Sequence, residues 1–128
     1  MNRPSHPLAP SATRAADDLL ERVDGAHAVL VATGDGFSLA QAQRKAVDPH
    51  RLAAIVSSIG ALGAAASRET DIGTPRCLVI ESSRGRLVVR CIAAGAHQLI
   101  VAVLTDSSVM LGLVWNALAQ TERSLGAA

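Results

Sequence analysis

The segment that most constrains the fold is residues 52–67, which run LAAIVSSIGALGAAAS and include no charged side chain. Their spacing is helical, but no side of that helix carries the charges that a solvated surface needs. A helix that is apolar or small on all sides is covered on all sides. One domain of 128 residues is too small to surround a helix by itself. We therefore expect a second copy of the chain, or another partner, to cover part of it.

The composition excludes several classes of function. Hydrophobic residues make up 49% of the chain and charged residues 18%, which is typical of a folded domain. A net charge of +1 offers no general basic surface for nucleic acid. The longest uncharged runs, such as residues 91–105, are shorter than the ~20 apolar residues of a membrane span. With two cysteines and no apolar leader segment, we expect a cytoplasmic protein without disulfides.

Turn and cap signals divide the chain into elements. We expect residues 1–10, which contain three prolines, to be a disordered tail and residues 11–125 to form a single domain. The sequence Gly34-Asp35-Gly36 indicates a hairpin turn, and Asp48-Pro49 is typical of a helix start. The predicted helices are residues 11–23, 48–68 and about 106–123, and the predicted strands are 26–31, 37–40, 75–81, 86–92 and 98–104.

Several local features accompany this α-β-β-α-β-β-β-α order. They are Val23-Asp24-Gly25 before the first strand, Gly34-Asp35-Gly36, the hairpin at residues 83–89 and the Gly-containing segment at 108–114. Together, over roughly residues 15–124, they resemble the roadblock/LC7 family of regulators of Ras-like GTPases. The resemblance implies an α+β sandwich with a five-stranded antiparallel sheet. The second helix is then expected on one face of the sheet, and the first and last helices on the other.

The resemblance also implies a function. Family members usually dimerise by pairing their third strands and packing their second helices together. By this resemblance, which includes the bacterial gliding-motility type, we expect a non-catalytic homodimer that binds and modulates a Ras-like small GTPase. The alternative is a small-molecule or thiol-redox sensor on the same fold.

The uncharged helix has two rows of residues with different expected roles. We expect the large row to pack on the sheet; it comprises Leu52, Ile55, Val56, Ile59 and Leu62. Small residues beside it, at spacings of four and three, would let another helix approach closely and offset the ~1 kcal/mol cost of an interior glycine. We therefore predict a dimer contact at Ala53, Ser57, Gly60, Ala61 and Ala64. The alternative is an alanine-rich helix that lies only on its own sheet.

The strand predicted at residues 75–81 adds two residues to the expected interface. If it is an edge strand, its apolar side chains are an aggregation hazard unless another strand pairs with it, and a second copy can do so symmetrically. Cys77 and Val79 are therefore expected at the dimer contact. Cys77 faces Cys91 if the following hairpin has a three-residue loop, whereas a loop one residue shorter puts them on opposite faces. Either way, reduced cysteines that act as small apolar residues are expected.

The sequence lacks patterns for catalysis. It has no Gly-x-x-x-x-Gly-Lys-Ser/Thr loop, so we do not expect it to be a GTPase itself. Its four histidines have no ligand-like spacing, so neither a metal nor a cofactor is expected. Arg76, Arg84, Arg86 and Arg90 form either a solvated face or a surface for an acidic partner or an anionic lipid. Trp115 is expected in the core, with an exposed binding contact as the alternative.

Overall fold

The computed structural model describes residues 6–126 and places a five-stranded antiparallel sheet between two helical layers. The strand order is β2-β1-β5-β4-β3, so β2 and β3 are the edges. α2 packs on one face, and α1 and α3 pack on the other, which confirms the predicted sandwich. The elements are α1 (Ala9–Arg22), β1 (Ala26–Thr33), β2 (Ser38–Gln43), α2 (Pro49–Glu69), β3 (Cys77–Ser82), β4 (Gly85–Ala94), β5 (His97–Asp106) and α3 (Leu111–Gly126).

Both predicted outer helices begin elsewhere than expected. Of the predicted tail, residues 1–5 lie outside the described residues. α1 already begins at Ala9, with a proline in its first turn and Leu8 buried in the core. A proline is tolerated there because the first N–H groups of a helix have no partner inside it. α3 begins later than predicted, at Leu111, because residues 106–109 form a hydrogen-bonded turn that buries Val109.

Two aliphatic cores lie on the two faces of the sheet. The larger core, under α1 and α3, contains Leu19, Val29, Ile92, Val101 and Leu118. The smaller core, under α2, contains Leu30, Ala53, Val56, Val89 and Ile100. Neighbouring residues of one strand alternate between the two cores. The central strands β1 and β5 are therefore buried on both sides, whereas the edge strands are only partly buried.

The orientation of α2 corrects the prediction about its two rows. Its carboxylate cap works as expected, because Asp48 accepts hydrogen bonds from two backbone N–H groups, at 3.1 and 3.2 Å. The small row, however, faces the sheet, with Ala53 fully buried. Two large residues that were expected on the sheet, Ile55 and Leu62, are 48% and 70% exposed. Val56 and Leu52 of the large row pack on the sheet as predicted. Because small side chains bring the helix backbone close to the strands, Ile55 and Leu62 are left outside.

Candidate interaction surface

Strand β3 has one free edge. A two-residue loop joins it to β4, with Ser82 paired to Gly85 and Cys77 paired to Arg90. In such a hairpin, alternate residues direct their backbone groups toward the partner strand. Cys77, Val79 and Glu81 therefore direct their N–H and C=O groups away from β4. Within residues 6–126 no strand pairs with this edge.

β3 is also poorly covered on its faces. No helix packs broadly over it among the described residues, since α2 lies mainly on β1 and α3 on β4. Val79, on the α3 side, is 36% exposed, and Ile80, on the α2 side, is 43% exposed. A strand that is apolar, unpaired and uncovered is a ready site for association with another chain.

One flank of α2 continues this exposed surface. Gly63 lies directly on Leu78 of β3, whereas on the other flank the Ser57 hydroxyl donates a 2.9 Å hydrogen bond to the carbonyl of Gly34. Residues at spacings of four and three share a flank, so a row of side chains runs along the β3 side of the helix. We call this row and the neighbouring β3 residues the α2–β3 surface. It consists of Ile55, Ile59, Leu62, Ala66, Leu78 and Ile80 and contains no charge.

The residues predicted at the dimer contact do not all lie on one surface. Ala53 is fully buried against its own sheet and has no surface to offer a partner. Gly60 and Ala64 are half-buried on the sheet side, as is Ser57, and Ala61 is exposed on the flank away from β3. Cys77 and Val79 lie on the free edge, which meets the condition on which their dimer contact was predicted. The sequence analysis did not predict the large residues of the α2–β3 surface as contacts, because large apolar side chains were expected in the core.

The two cysteines lie on opposite faces of the sheet. Because Cys77 pairs with Arg90, Cys91 is one position out of register, and the shorter-loop alternative is the correct one. Side chains that point to opposite faces cannot form a disulfide without movement of the backbone. Burial raises the pKa of both thiols. At Cys77 a hydrogen bond from Trp115 and the charge of Arg90 act in the opposite direction.

The arginines and Trp115 have distinct environments. Arg86 is paired with Glu81 at 2.8 Å, and Arg90 with Glu122 at 2.6 Å. Trp115 is 46% exposed, so its prediction as a core residue is wrong. Trp115 lies close enough to Cys77 of β3 to lower the pKa of its thiol against the effect of burial.

Metal-ligand clusters and membrane-spanning helices are both absent from residues 6–126. Between residues 6 and 126, no three His, Cys, Asp or Glu side chains lie close enough together to hold a metal ion. Over the same residues, no helix has the length and hydropathy needed to cross a membrane.

Comparisons with known proteins identify the fold. The model of the Roadblock/LC7 domain matches residues 13–105. No curated protein matches the chain significantly. Among solved structures, the Roadblock/LC7 domain from Streptomyces avermitilis is 23% identical, with 88% of this chain and 92% of that chain covered and a TM-score of 0.77. Myxococcus xanthus MglB is 15% identical (98% and 92% covered, TM-score 0.84). The gliding protein MglB from Thermus thermophilus is 22% identical (98% and 96% covered, TM-score 0.80).

Proposed function

This chain belongs to the Roadblock/LC7 family, and from that premise we propose that it is a homodimeric regulatory module that binds a Ras-like small GTPase and is not itself an enzyme. The observation that carries the dimer is the α2–β3 surface beside the free edge of β3. An uncharged helix flank and an unpaired apolar strand lie next to each other there, and a two-fold axis that crosses this edge perpendicular to the sheet would bury both.

The physical contributions favour association at this surface. Pairing two β3 edges satisfies backbone groups that otherwise need water. Each large side chain that becomes fully buried contributes about 1.5–3 kcal/mol. Within the α2–β3 surface, Leu62 is the most exposed of the large side chains, at 70%. Among the similar structures is one of MglB in a tetrameric arrangement, which supports self-association.

The dimer is tested by the solution mass of three proteins, measured by light scattering. We expect a dimer for the wild type and a monomer for Leu62→Arg, because the charge would enter a desolvated contact. The matched control is Ala61→Arg, one residue away but on the flank that faces away from β3, and it should remain dimeric. The opposite result, with Ala61→Arg monomeric and Leu62→Arg dimeric, would place the contact on the wrong flank. A monomeric wild type would refute the homodimer.

The GTPase interaction rests on the family resemblance and is tested separately. A Ras-like GTPase from the same genome, loaded with GDP or with a non-hydrolysable GTP analogue, should bind the dimer with a preference for one nucleotide state. The rate of nucleotide hydrolysis or exchange should then change when the dimer is added. If no such GTPase binds in either state, the regulatory proposal fails even if the dimer is correct.

A further inference from the structure

β3 presents a second apolar surface, on the α3 side of the sheet. Alternate strand residues share a face, so Cys77 and Val79 lie together on this side, next to Trp115. The proposed dimer would bury the free edge of β3 and its α2 side, but it leaves this face open. We call it the Trp115 groove and define it by Cys77, Val79, Leu111 and Trp115.

The charges around the Trp115 groove are arranged unevenly. Arg86 is paired with Glu81, and Arg90 is paired with Glu122. The side chains of the two arginines are each only 19% exposed. Two other cations, Arg76 and Arg84, flank β3 at its two ends and form no ion pair within residues 6–126. At one of these ends Arg76, Cys77, Arg90 and Glu122 help to line an open cleft of 1080 Å³. The groove thus has an apolar middle and a free positive charge at each end.

The helical layer leaves space over β3. On this face α1 packs on β2 and β1, and α3 packs on β4. The β5 residues between them are buried, whereas Val79 of β3 remains 36% exposed. The six residues of β3, which lie between Arg76 and the hairpin loop that contains Arg84, span roughly 20 Å at about 3.3 Å per strand residue. A helix of about 14 residues spans the same length.

We propose that the Trp115 groove binds an amphipathic helix of a protein partner. The apolar side of that helix would contact Trp115 and Val79, and carboxylates near its two ends would meet Arg76 and Arg84. Exposed tryptophan in an apolar setting is the residue type most enriched among strong binding contacts. The cations select an acidic helix over a basic one, because like charges across an interface are unfavourable.

Binding in the groove can be followed by the fluorescence of Trp115. The chain has one tryptophan and no tyrosine, so its intrinsic emission reports on Trp115 alone. The probe ligands are two synthetic 16-residue helical peptides with leucines along one side and either glutamates or lysines at both ends. We expect the glutamate peptide to shift the emission saturably to shorter wavelength and to bind at least tenfold more tightly than the lysine peptide at low salt.

Charge-swapped variants make the expectation specific. The double substitution Arg76→Glu/Arg84→Glu should reverse the preference in favour of the lysine peptide. The control Arg123→Glu, on the exposed side of α3, should keep the preference of the wild type. Leu62→Arg should also keep it, so that failure of the dimer is distinguished from failure of the groove. Circular dichroism checks that each variant is folded.

Three results would overturn the assignment. They are the absence of a saturable shift with either peptide, equal binding of both peptides, and a preference that survives the double substitution. A separate titration with vesicles of phosphatidylserine and phosphatidylcholine tests whether the groove binds a membrane. If these vesicles shift the Trp115 emission and the glutamate peptide does not, the surface contacts a membrane and not a partner helix.

Discussion

The substitution Val79→Cys tests the register of the proposed strand pairing. Cys77, Val79 and Glu81 direct their backbone groups to the free edge. If the two-fold axis passes through Val79, these three residues of each strand form about six hydrogen bonds with the partner. If the axis passes through Leu78 or Ile80 instead, only about four hydrogen bonds form between the two β3 strands. At ~1 kcal/mol for each bond, the first register is favoured by ~2 kcal/mol, or roughly thirtyfold.

The same register determines which cysteines can cross-link. Two residues 79 that face each other in a hydrogen-bonded pair have Cα atoms about 5.5 Å apart, within the usual range for a disulfide of about 4.4–6.8 Å. Cys77 then lies opposite Glu81 of the other copy. The two Cys77 residues are separated by four positions, or about 13 Å at 3.3–3.4 Å per residue. The native thiol is therefore too far from its counterpart to form a bond.

The assay is oxidation by dissolved oxygen and copper-phenanthroline, followed by non-reducing electrophoresis. In a Cys77→Ala/Cys91→Ala background, Val79→Cys should yield a covalent dimer within minutes, and Arg123→Cys should not. The chain with its native cysteines should stay uncrosslinked. If the native chain cross-links through Cys77, or if Val79→Cys fails to cross-link although light scattering shows a dimer, the register argument is wrong.

Two further predictions concern α2 and the thiols. A Cβ at Gly60 would lie 3.6 Å from the Cys91 sulfur, an ordinary contact, so Gly60→Ala should raise the free energy of unfolding by up to ~1 kcal/mol in urea titrations. Gly63→Ala, whose Cβ would lie 2.5 Å from a Leu78 methyl, should give a smaller gain or a loss, and an equal gain at both would contradict the packing. Because burial raises the thiol pKa of Cys77 and Cys91 above its ordinary value of 9.0, the thiolate forms only at higher pH. Labelling of the folded chain by a disulfide reagent at pH 8 should therefore be slower than labelling of the urea-unfolded chain, and equal rates would refute the burial argument.

The element order could be predicted because its signals are local. A carboxylate followed by proline starts α2, and a Gly-Asp-Gly turn separates β1 from β2, whatever the rest of the chain does. The ends of β3 and β4 could be predicted only approximately. The sequence of their hairpin allows two loop lengths, and the choice between them decides on which face Cys91 lies.

The face of α2 could not be predicted from residue size. Large apolar residues are usually buried by their own domain, and that rule placed Ile55 and Leu62 on the sheet. The rule fails here because Gly60 and Gly63 permit the helix backbone to approach the strands closely. A row of small residues indicates close packing, but it does not say whether the neighbour is the chain's own sheet or a partner. Trp115 was misplaced by the same preference for burying large side chains.

The close approach of α2 to its sheet links the packing of the domain to its proposed association. If Ile55 and Leu62 also faced the strands, the helix would stand farther from the sheet. Its outer flank would then be made of alanine, serine and glycine, which have little apolar area to bury. With the small row inside, Leu62 and Ile55 are left exposed beside the free edge of β3. The glycines that let α2 approach the sheet therefore also leave Leu62 and Ile55 exposed, where a second copy can cover them. We therefore propose that a partner covers the flank of α2 next to β3, and not the small row of this uncharged helix.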